Sequence, residues 1–222
     1  MPVHHLNLNK DYTAQYKKLG FDFPGKVKNS VYKRQNQFAA GRLCAISIIE
    51  KILGKYINIG QDSFGRPVWP KGFIGSITHT DDIAIAIVEN KNNFLSIGID
   101  AERISGSKEI ISSLEDLVLV EGERELLLKA KRSDYEFILF LIFSFKESLY
   151  KCLNPLVNKM FDFSFVEIIK IDLHNNVVII KLLKNLNKNF LINSLFEGSF
   201  EYNIKINSVL TKVAVRCTDL IL

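Results

Sequence analysis

Ile97-Gly98-Ile99-Asp100-Ala101-Glu102 reads as a buried strand that runs into two acids. Side chains alternate between the faces of a strand, so Asp100 and Glu102 point the same way. Two carboxylates on one face repel unless something positive lies between them. A hard divalent cation fits that place, because Mg2+ takes one or two carboxylates together with phosphate oxygens and water. Taken alone, an Asp-x-Glu at a strand end is more often a solvated edge. A second stretch, Phe143-Ser144-Phe145-Lys146-Glu147-Ser148-Leu149-Tyr150-Lys151, changes the balance by placing a third acid in an otherwise apolar segment.

Working outward, Phe94 to Glu102 follows two other strand-like segments, Ile74 to Thr80 and Ile83 to Val88, with turns at Asp81-Asp82 and Asn90 to Asn93. Such short connections predict an antiparallel meander. His79 closes its first strand beside two hydroxyl residues. A lone histidine is more often structural, but in that place it could face a phosphate. Before the meander, Phe64-Gly65-Arg66-Pro67-Val68-Trp69-Pro70 has two prolines and a glycine, which predict a fixed extended loop. A helix is predicted from Asn29 or Ser30 to Leu53, closed by Gly54, with Phe38, Leu43, Ile46, Ile49 and Leu53 as its apolar stripe. Arg34 and Arg42 lie two turns apart on it, with Lys33 adjacent. A solvated face is the simplest reading of that pair. Residues 1–28 read as an irregular arm with room for a short strand.

Downstream, residues 103–132 read as charged and irregular, with a short helix over Glu121 to Lys131. Ser133-Asp134-Tyr135-Glu136 matches a capping box, which would start a helix reaching Leu153 and stopped by Asn154-Pro155. Its stretch Phe137 to Phe145 is apolar nearly all round, so the helix should be buried. Glu147 and Lys151 share a face one turn apart. Short strands are expected within Phe161 to Ile171, Val177 to Leu183, Gly198 to Ile206 and Val209 to Val215.

Composition sets the limits. The 222 residues allow one larger domain or two of about 100 residues each. A formal charge of +5 points to an anionic partner. The basic residues are dispersed and form no long run, which argues against nucleic acid. Cys44, Cys152 and Cys217 are far apart and odd in number, so neither a disulfide framework nor a zinc site is expected. The first residues lack the pattern of a signal peptide. The densest apolar run, Phe137 to Phe143, is shorter than the ~20 residues that span a bilayer. A cytoplasmic protein with no integral membrane segment is the expectation.

Five blocks, in this order, resemble the 4'-phosphopantetheinyl transferase superfamily, and within it the long surfactin- and enterobactin-synthetase-type group. They are K-R-x-x-x-F-A-A-G-R at 33–42, F-G-R-P-V-W-P at 64–70, G-S-I-T-H-T at 75–80, I-G-I-D-A-E at 97–102 and F-S-F-K-E-S-L-Y-K at 143–151. The C-terminal strands carry no matching motif. The resemblance implies an enzyme that moves the phosphopantetheine arm of coenzyme A, its co-substrate, onto a serine of an apo carrier protein and releases adenosine 3',5'-bisphosphate. By resemblance, Asp100, Glu102 and Glu147 hold Mg2+ or Mn2+ on the diphosphate. Arg34, Arg42 and Arg66 meet the phosphates of coenzyme A, and Thr78 and His79 contact its diphosphate end. Lys146 or Lys151 steadies the transferring group, and Glu147 or a metal-bound water takes the serine proton. Thr78 and Arg66 depart from the commoner serine and lysine but keep the hydroxyl and the charge.

The implied fold is α+β. It has two similar halves with pseudo-twofold symmetry, residues 1–102 and 103–222, each a helix packed on a small antiparallel sheet. The active site is expected in the cleft between them. The chain should be a monomer that serves a carrier of nonribosomal peptide or siderophore synthesis, with residues 103–132 as the carrier contact. Two other readings share the acids and the basic residues. One is a Mg2+-dependent phosphohydrolase acting on a nucleotide diphosphate. The other is a non-catalytic module that binds coenzyme A or a carrier.

Overall fold

The structure, a computed structural model, describes residues 1–220. It forms two compact units, residues 1–94 and 95–222. The first contains β1 (Val3–Asn7), α1 (Thr13–Lys18), α2 (Gly25–Lys28), α3 (Tyr32–Leu53), β2 (Gly60–Gln61), β3 (Pro67–Val68), β4 (Phe73–His79) and β5 (Ile83–Asn90). Its main sheet has the order β1-β5-β4 and is antiparallel throughout. α3 packs on that sheet. Its middle, from Phe38 to Ile49, is buried nearly all round rather than along one stripe. Gly41 keeps its sheet-facing side thin, and Ile77 of β4 fills the space where a Cβ would lie. The helix ends where expected, with Gly54 at φ 69°, a left-handed turn that glycine adopts without steric cost.

The N-terminal arm is better ordered than its composition suggests. β1 pairs with β5 from Val3↔Ile87 to Asn7↔Ile83. The buried Asn36 accepts from the Tyr12 amide at 2.7 Å and donates to the Lys10 carbonyl at 2.8 Å, tying the arm to α3. Tyr16, Phe23 and Phe38 stack at the same place, with ring centroids 5.3–6.0 Å apart.

The second unit takes β6 (Phe94–Arg103, all but its first residue), α4 (Lys108–Val118), α5 (Glu121–Leu128), α6 (Tyr135–Val157), β7 (Val166–Asp172), β8 (Val177–Leu182), β9 (Leu195–Asn203) and β10 (Ser208–Arg216). Its five-stranded sheet has the order β6-β10-β9-β8-β7, and α6 packs against β10. Both units therefore set one long helix on an antiparallel sheet, as the α+β reading requires. The sheets differ in size, three strands against five. Among the described residues no helix is long and apolar enough to cross a membrane.

Several expectations need correction. β4, β5 and β6 do not form one meander. β5 already has β1 on one edge and β4 on the other, so β6 has no edge to join and pairs with β10 instead. The compact units consequently divide at Phe94/Leu95, not after Glu102. Residues 103–132 contain a helix besides the one at Glu121. It is α4, whose cap Ser107 accepts from the Ile110 amide at 3.5 Å. The Ser133 capping box does not form. Residues 132–134 make a 3-10 turn, and the Ser133 hydroxyl turns to Asp134 at 2.9 Å. Pro155 does not stop α6, which continues to Val157. Proline disrupts a helix through its missing N–H and its clash with the carbonyl four residues back, and in the last turn few bonds remain to lose. Asn158, left-handed at φ 49°, ends the helix by donating its amide to the Asn154 carbonyl at 2.9 Å.

Candidate active site

The second unit holds the three predicted acids near enough for their charges to act on one another. Gly98, Asp100 and Glu102 alternate onto one face of β6, and that face meets α6. A Cβ at Gly98 would run into the Ser148 carbonyl and lie 2.6 Å from the Cys152 amide, so only glycine permits the approach. On α6, Ser144, Glu147, Ser148 and Lys151 follow the i, i+3, i+4, i+7 spacing of one helix face. Asp100 is buried between the two elements. Its Oδ1 accepts from Lys151 Nζ at 2.6 Å and its Oδ2 from the Ser144 hydroxyl at 3.0 Å.

Glu102 and Glu147 are half-buried beside it. Burial and the Asp100 charge, against the pull of Lys151, raise the Glu102 carboxyl to about 8. Burial likewise raises Glu147, with Lys151 pulling it down and Asp100 pushing it up. Among the described residues no group of three His, Cys, Asp or Glu side chains stands as a ready-made metal site. The donor set nevertheless suits a hard cation. It is all carboxylate oxygen, and each carboxylate oxygen can accept more than one partner. Placing a cation among crowded acids would favour their ionised forms.

Lys146 does not join this group. It falls about 200° round the helix from Ser144. Its Nζ contacts Glu123 Oε2 at 2.7 Å, the Val118 carbonyl at 2.7 Å and the Phe163 carbonyl at 3.2 Å. Three acceptors satisfy its three N–H donors. Glu123 in turn accepts from the Val120 amide at 3.0 Å and the Ile168 amide at 2.8 Å. Both side chains have 0% exposure. This buried pair, which the sequence reading missed, joins the end of α4 and the starts of α5 and β7 to α6.

The first unit holds the predicted phosphate-contacting residues. Arg34 donates from Nη1 to His79 Nε2 at 2.7 Å. Guanidinium has no acceptor, so that histidine nitrogen accepts and the neutral ring carries its proton on Nδ1. Arg42 lies on the same helix but is buried at 5% exposure, contrary to the solvated-face reading. Its guanidinium sits 4.5 Å from the centre of the Phe38 ring and reaches the Gly60 carbonyl at 3.4 Å. Its Nε is buried with no hydrogen-bond partner. Burial and the Arg34 charge, against the pull of Tyr16, lower it to about 10. A buried cation with an unused donor is a place for an anion.

Arg66 is held by Asp62, Nε to Oδ2 at 2.7 Å, while its amide donates to Asp62 Oδ1 at 2.9 Å. Its guanidinium lies 4.8 Å from the Phe64 ring centre. The segment expected to be an extended loop is instead a hairpin: Asp62 holds a tight turn through Phe64 and Arg66, and Pro67–Val68 pairs with Gly60–Gln61. Thr78 and His79, expected to act together, lie on opposite faces of β4, because neighbouring strand residues alternate. Thr78 is buried at 4% exposure, whereas His79 is on the face that meets Arg34. Cys44 and Cys152 are buried free thiols that burial pushes up to about 12, which makes them inert packing.

Two family profiles match the chain. Residues 24–89 match the 4'-phosphopantetheinyl transferase N-terminal domain and residues 96–204 the 4'-phosphopantetheinyl transferase superfamily. Among curated proteins, 4'-phosphopantetheinyl transferase Npt of Nocardia iowensis is 36% identical over 138 residues, which is 62% of this chain and 60% of that protein. Enterobactin synthase component D of Salmonella typhimurium is 27% identical over 155 residues, 70% of this chain and 63% of that protein. 4'-phosphopantetheinyl transferase PptT of Mycobacterium tuberculosis is 28% identical over 137 residues, covering 62% and 59%. The chain thus spans less than two thirds of the length of these curated relatives. The two profiles meet between β5 and β6, at the division between the compact units, and the second contains all three acids. The chain belongs to the 4'-phosphopantetheinyl transferase superfamily.

Proposed function

We propose that this protein transfers the 4'-phosphopantetheine arm of coenzyme A to a serine of an apo carrier protein of siderophore or other nonribosomal peptide synthesis. Adenosine 3',5'-bisphosphate is the other product. The observation that carries the reading is the convergence of Asp100, Glu102, Glu147 and Lys151 where β6 meets α6. The printed names of the relatives, phosphopantetheinyl transferases and an enterobactin synthase component, support the substrate class.

Asp100, Glu102 and Glu147 would hold Mg2+ or Mn2+, and one chain supplies all three. When bound, such an ion neutralises charge on the diphosphate of coenzyme A. The residues do the remaining work. Arg42, with its unused Nε–H, and the Arg34–His79 pair receive phosphate groups of coenzyme A, and Arg66 completes the phosphate contacts, while Thr78, buried on the other face of β4, is left out of them. Arginine suits this role because its planar fork can bind phosphate in a bidentate way. The carrier serine attacks the β-phosphorus in line with the departing oxygen. Glu147 takes the serine proton, since a carboxylate oxygen that binds the metal still leaves lone pairs to accept it. Lys151, anchored by Asp100, supplies positive charge to the phosphoryl oxygens as the bond to the nucleotide breaks. Lys146 has no part in this.

Fluorescently labelled pantetheine on coenzyme A, mixed with an apo peptidyl carrier domain and Mg2+, tests the reading. Label should appear covalently on the carrier serine. Label released without modification of the carrier would point to a phosphohydrolase instead. Binding without either product would point to a non-catalytic module.

A further inference from the structure

Behind Asp100 lies a row of buried hydroxyls, two of them within the 143–151 block and the third, Thr211, outside every matched block. Ser144, Ser148 and Thr211 each have 0% exposure. The Ser144 hydroxyl lies 3.0 Å from Asp100 Oδ2 and 2.8 Å from Thr211 Oγ1. Thr211 Oγ1 lies 2.7 Å from the Ser148 hydroxyl. Each hydroxyl has one proton to give, and the directions follow from the carboxylate. Asp100 is acceptor-only when ionised, so Ser144 donates to it. Ser144 then has no proton left for Thr211, so at that contact Thr211 donates to Ser144. Thr211 in turn has no proton for Ser148, so Ser148 donates to Thr211. The alternatives are longer: Thr211 to the Ser144 carbonyl at 3.0 Å or the Asp100 carbonyl at 3.4 Å, and Ser148 to the Thr211 carbonyl at 3.2 Å.

We infer that Ser148, Thr211 and Ser144 form a one-way hydroxyl relay that fixes the Asp100 carboxylate for metal binding, with Thr211 of β10 as its central positioning residue. This rests on the metal-binding reading above. Three O–H dipoles pointing toward one carboxylate reinforce each other in a low-dielectric interior. Their grip on Oδ2 fixes the rotamer, leaving Oδ1 turned toward Lys151. Outer partners of this kind orient ligating carboxylates. Thr211 lies beyond residue 204, where the match to the family profile ends. The relay thus gives β10, the neighbour of β6 in the sheet, a task at the site.

The test is calorimetric titration of Mn2+ into the protein with coenzyme A present, with the heat of Mn2+ into coenzyme A alone subtracted. Thr211→Val keeps the shape and removes the hydroxyl. It should weaken Mn2+ binding about 10–100-fold, the usual effect of losing an outer partner, and leave coenzyme A binding without metal unchanged. Thr211→Ser should restore Mn2+ affinity. Should Thr211→Val fail to fold by circular dichroism, Ser144→Ala provides the same comparison, with a loss of at least that size. Wild-type Mn2+ affinity in a folded Thr211→Val or Ser144→Ala protein would overturn the relay alone. A wild-type protein that takes up no Mn2+ would overturn the metal reading and the relay together.

Discussion

Replacing Lys146 by methionine separates a role in the core from a role in the chemistry. Methionine keeps the length and apolar stem but removes three donors, to Glu123 and to the Val118 and Phe163 carbonyls. Both charged side chains have 0% exposure, so water cannot substitute. Removing one partner of a buried ion pair costs about 3–5 kcal/mol, because the remaining charge is stranded. At about 2–4 °C per kcal/mol for a chain of this size, the melting temperature should fall by roughly 6–20 °C. The loss should depend on pH. Burial already raises Glu123 above 4.5, with Lys146 holding it back. Without Lys146 the folded value climbs further above the unfolded one. The folded protein then keeps a proton that the unfolded chain releases, and stability falls as pH rises above 4.5. Thermal melts by circular dichroism at pH 5 and pH 8 should show the larger loss at pH 8. Adding Glu123→Gln should recover much of it. Below its melting temperature, Lys146→Met should still transfer pantetheine. A melting temperature within about 2 °C of wild type, combined with lost transfer, would refute the reasoning and place Lys146 at the reaction.

Other outcomes follow from the same geometry. Glu147→Gln and Asp100→Asn should each abolish transfer while melting as cooperatively as wild type, and full activity in either would remove that acid from the metal set. With Glu102 raised to about 8, metal binding must displace a proton below that pH. Titrations in two buffers of different ionisation heat should show proton release and tighter binding at pH 8 than at pH 6, while without metal the Glu102 contribution to stability should diminish as pH rises from 4.5 toward 8. Arg42→Ala should raise KM for coenzyme A more than for the analogue lacking the 3'-phosphate, as measured by initial rates. Gly98→Ala should cost at least the ~1–3 kcal/mol typical of overpacking, read by urea denaturation, because the new methyl meets the α6 backbone at Ser148 and Cys152.

Much of the site was legible in the sequence. Strand alternation placed Asp100 and Glu102 on one side, and helical spacing placed Glu147 with Lys151. The same spacing could have excluded Lys146, which lies one residue from Glu147 but on the opposite side of the helix from Ser144. The false meander had a different cause. The link from Asn90 to Phe94 has hairpin length, but β5 is already flanked by β4 and β1. β1 was hidden within a polar arm of little periodicity, so the sequence did not show that the edge was occupied. α4 was missed because its charges and serines obscure an amphipathic pattern whose cap is Ser107. The hydroxyl relay could not be read locally, since Thr211 meets Asp100 only through the pairing of β6 with β10.

The most direct test is an anomalous difference map from crystals grown with coenzyme A and Mn2+. The account predicts one strong peak with carboxylate oxygens of Asp100, Glu102 and Glu147 around it, in contact with the diphosphate. Coenzyme A bound with its diphosphate away from these acids, or a peak ligated by other residues, would contradict it.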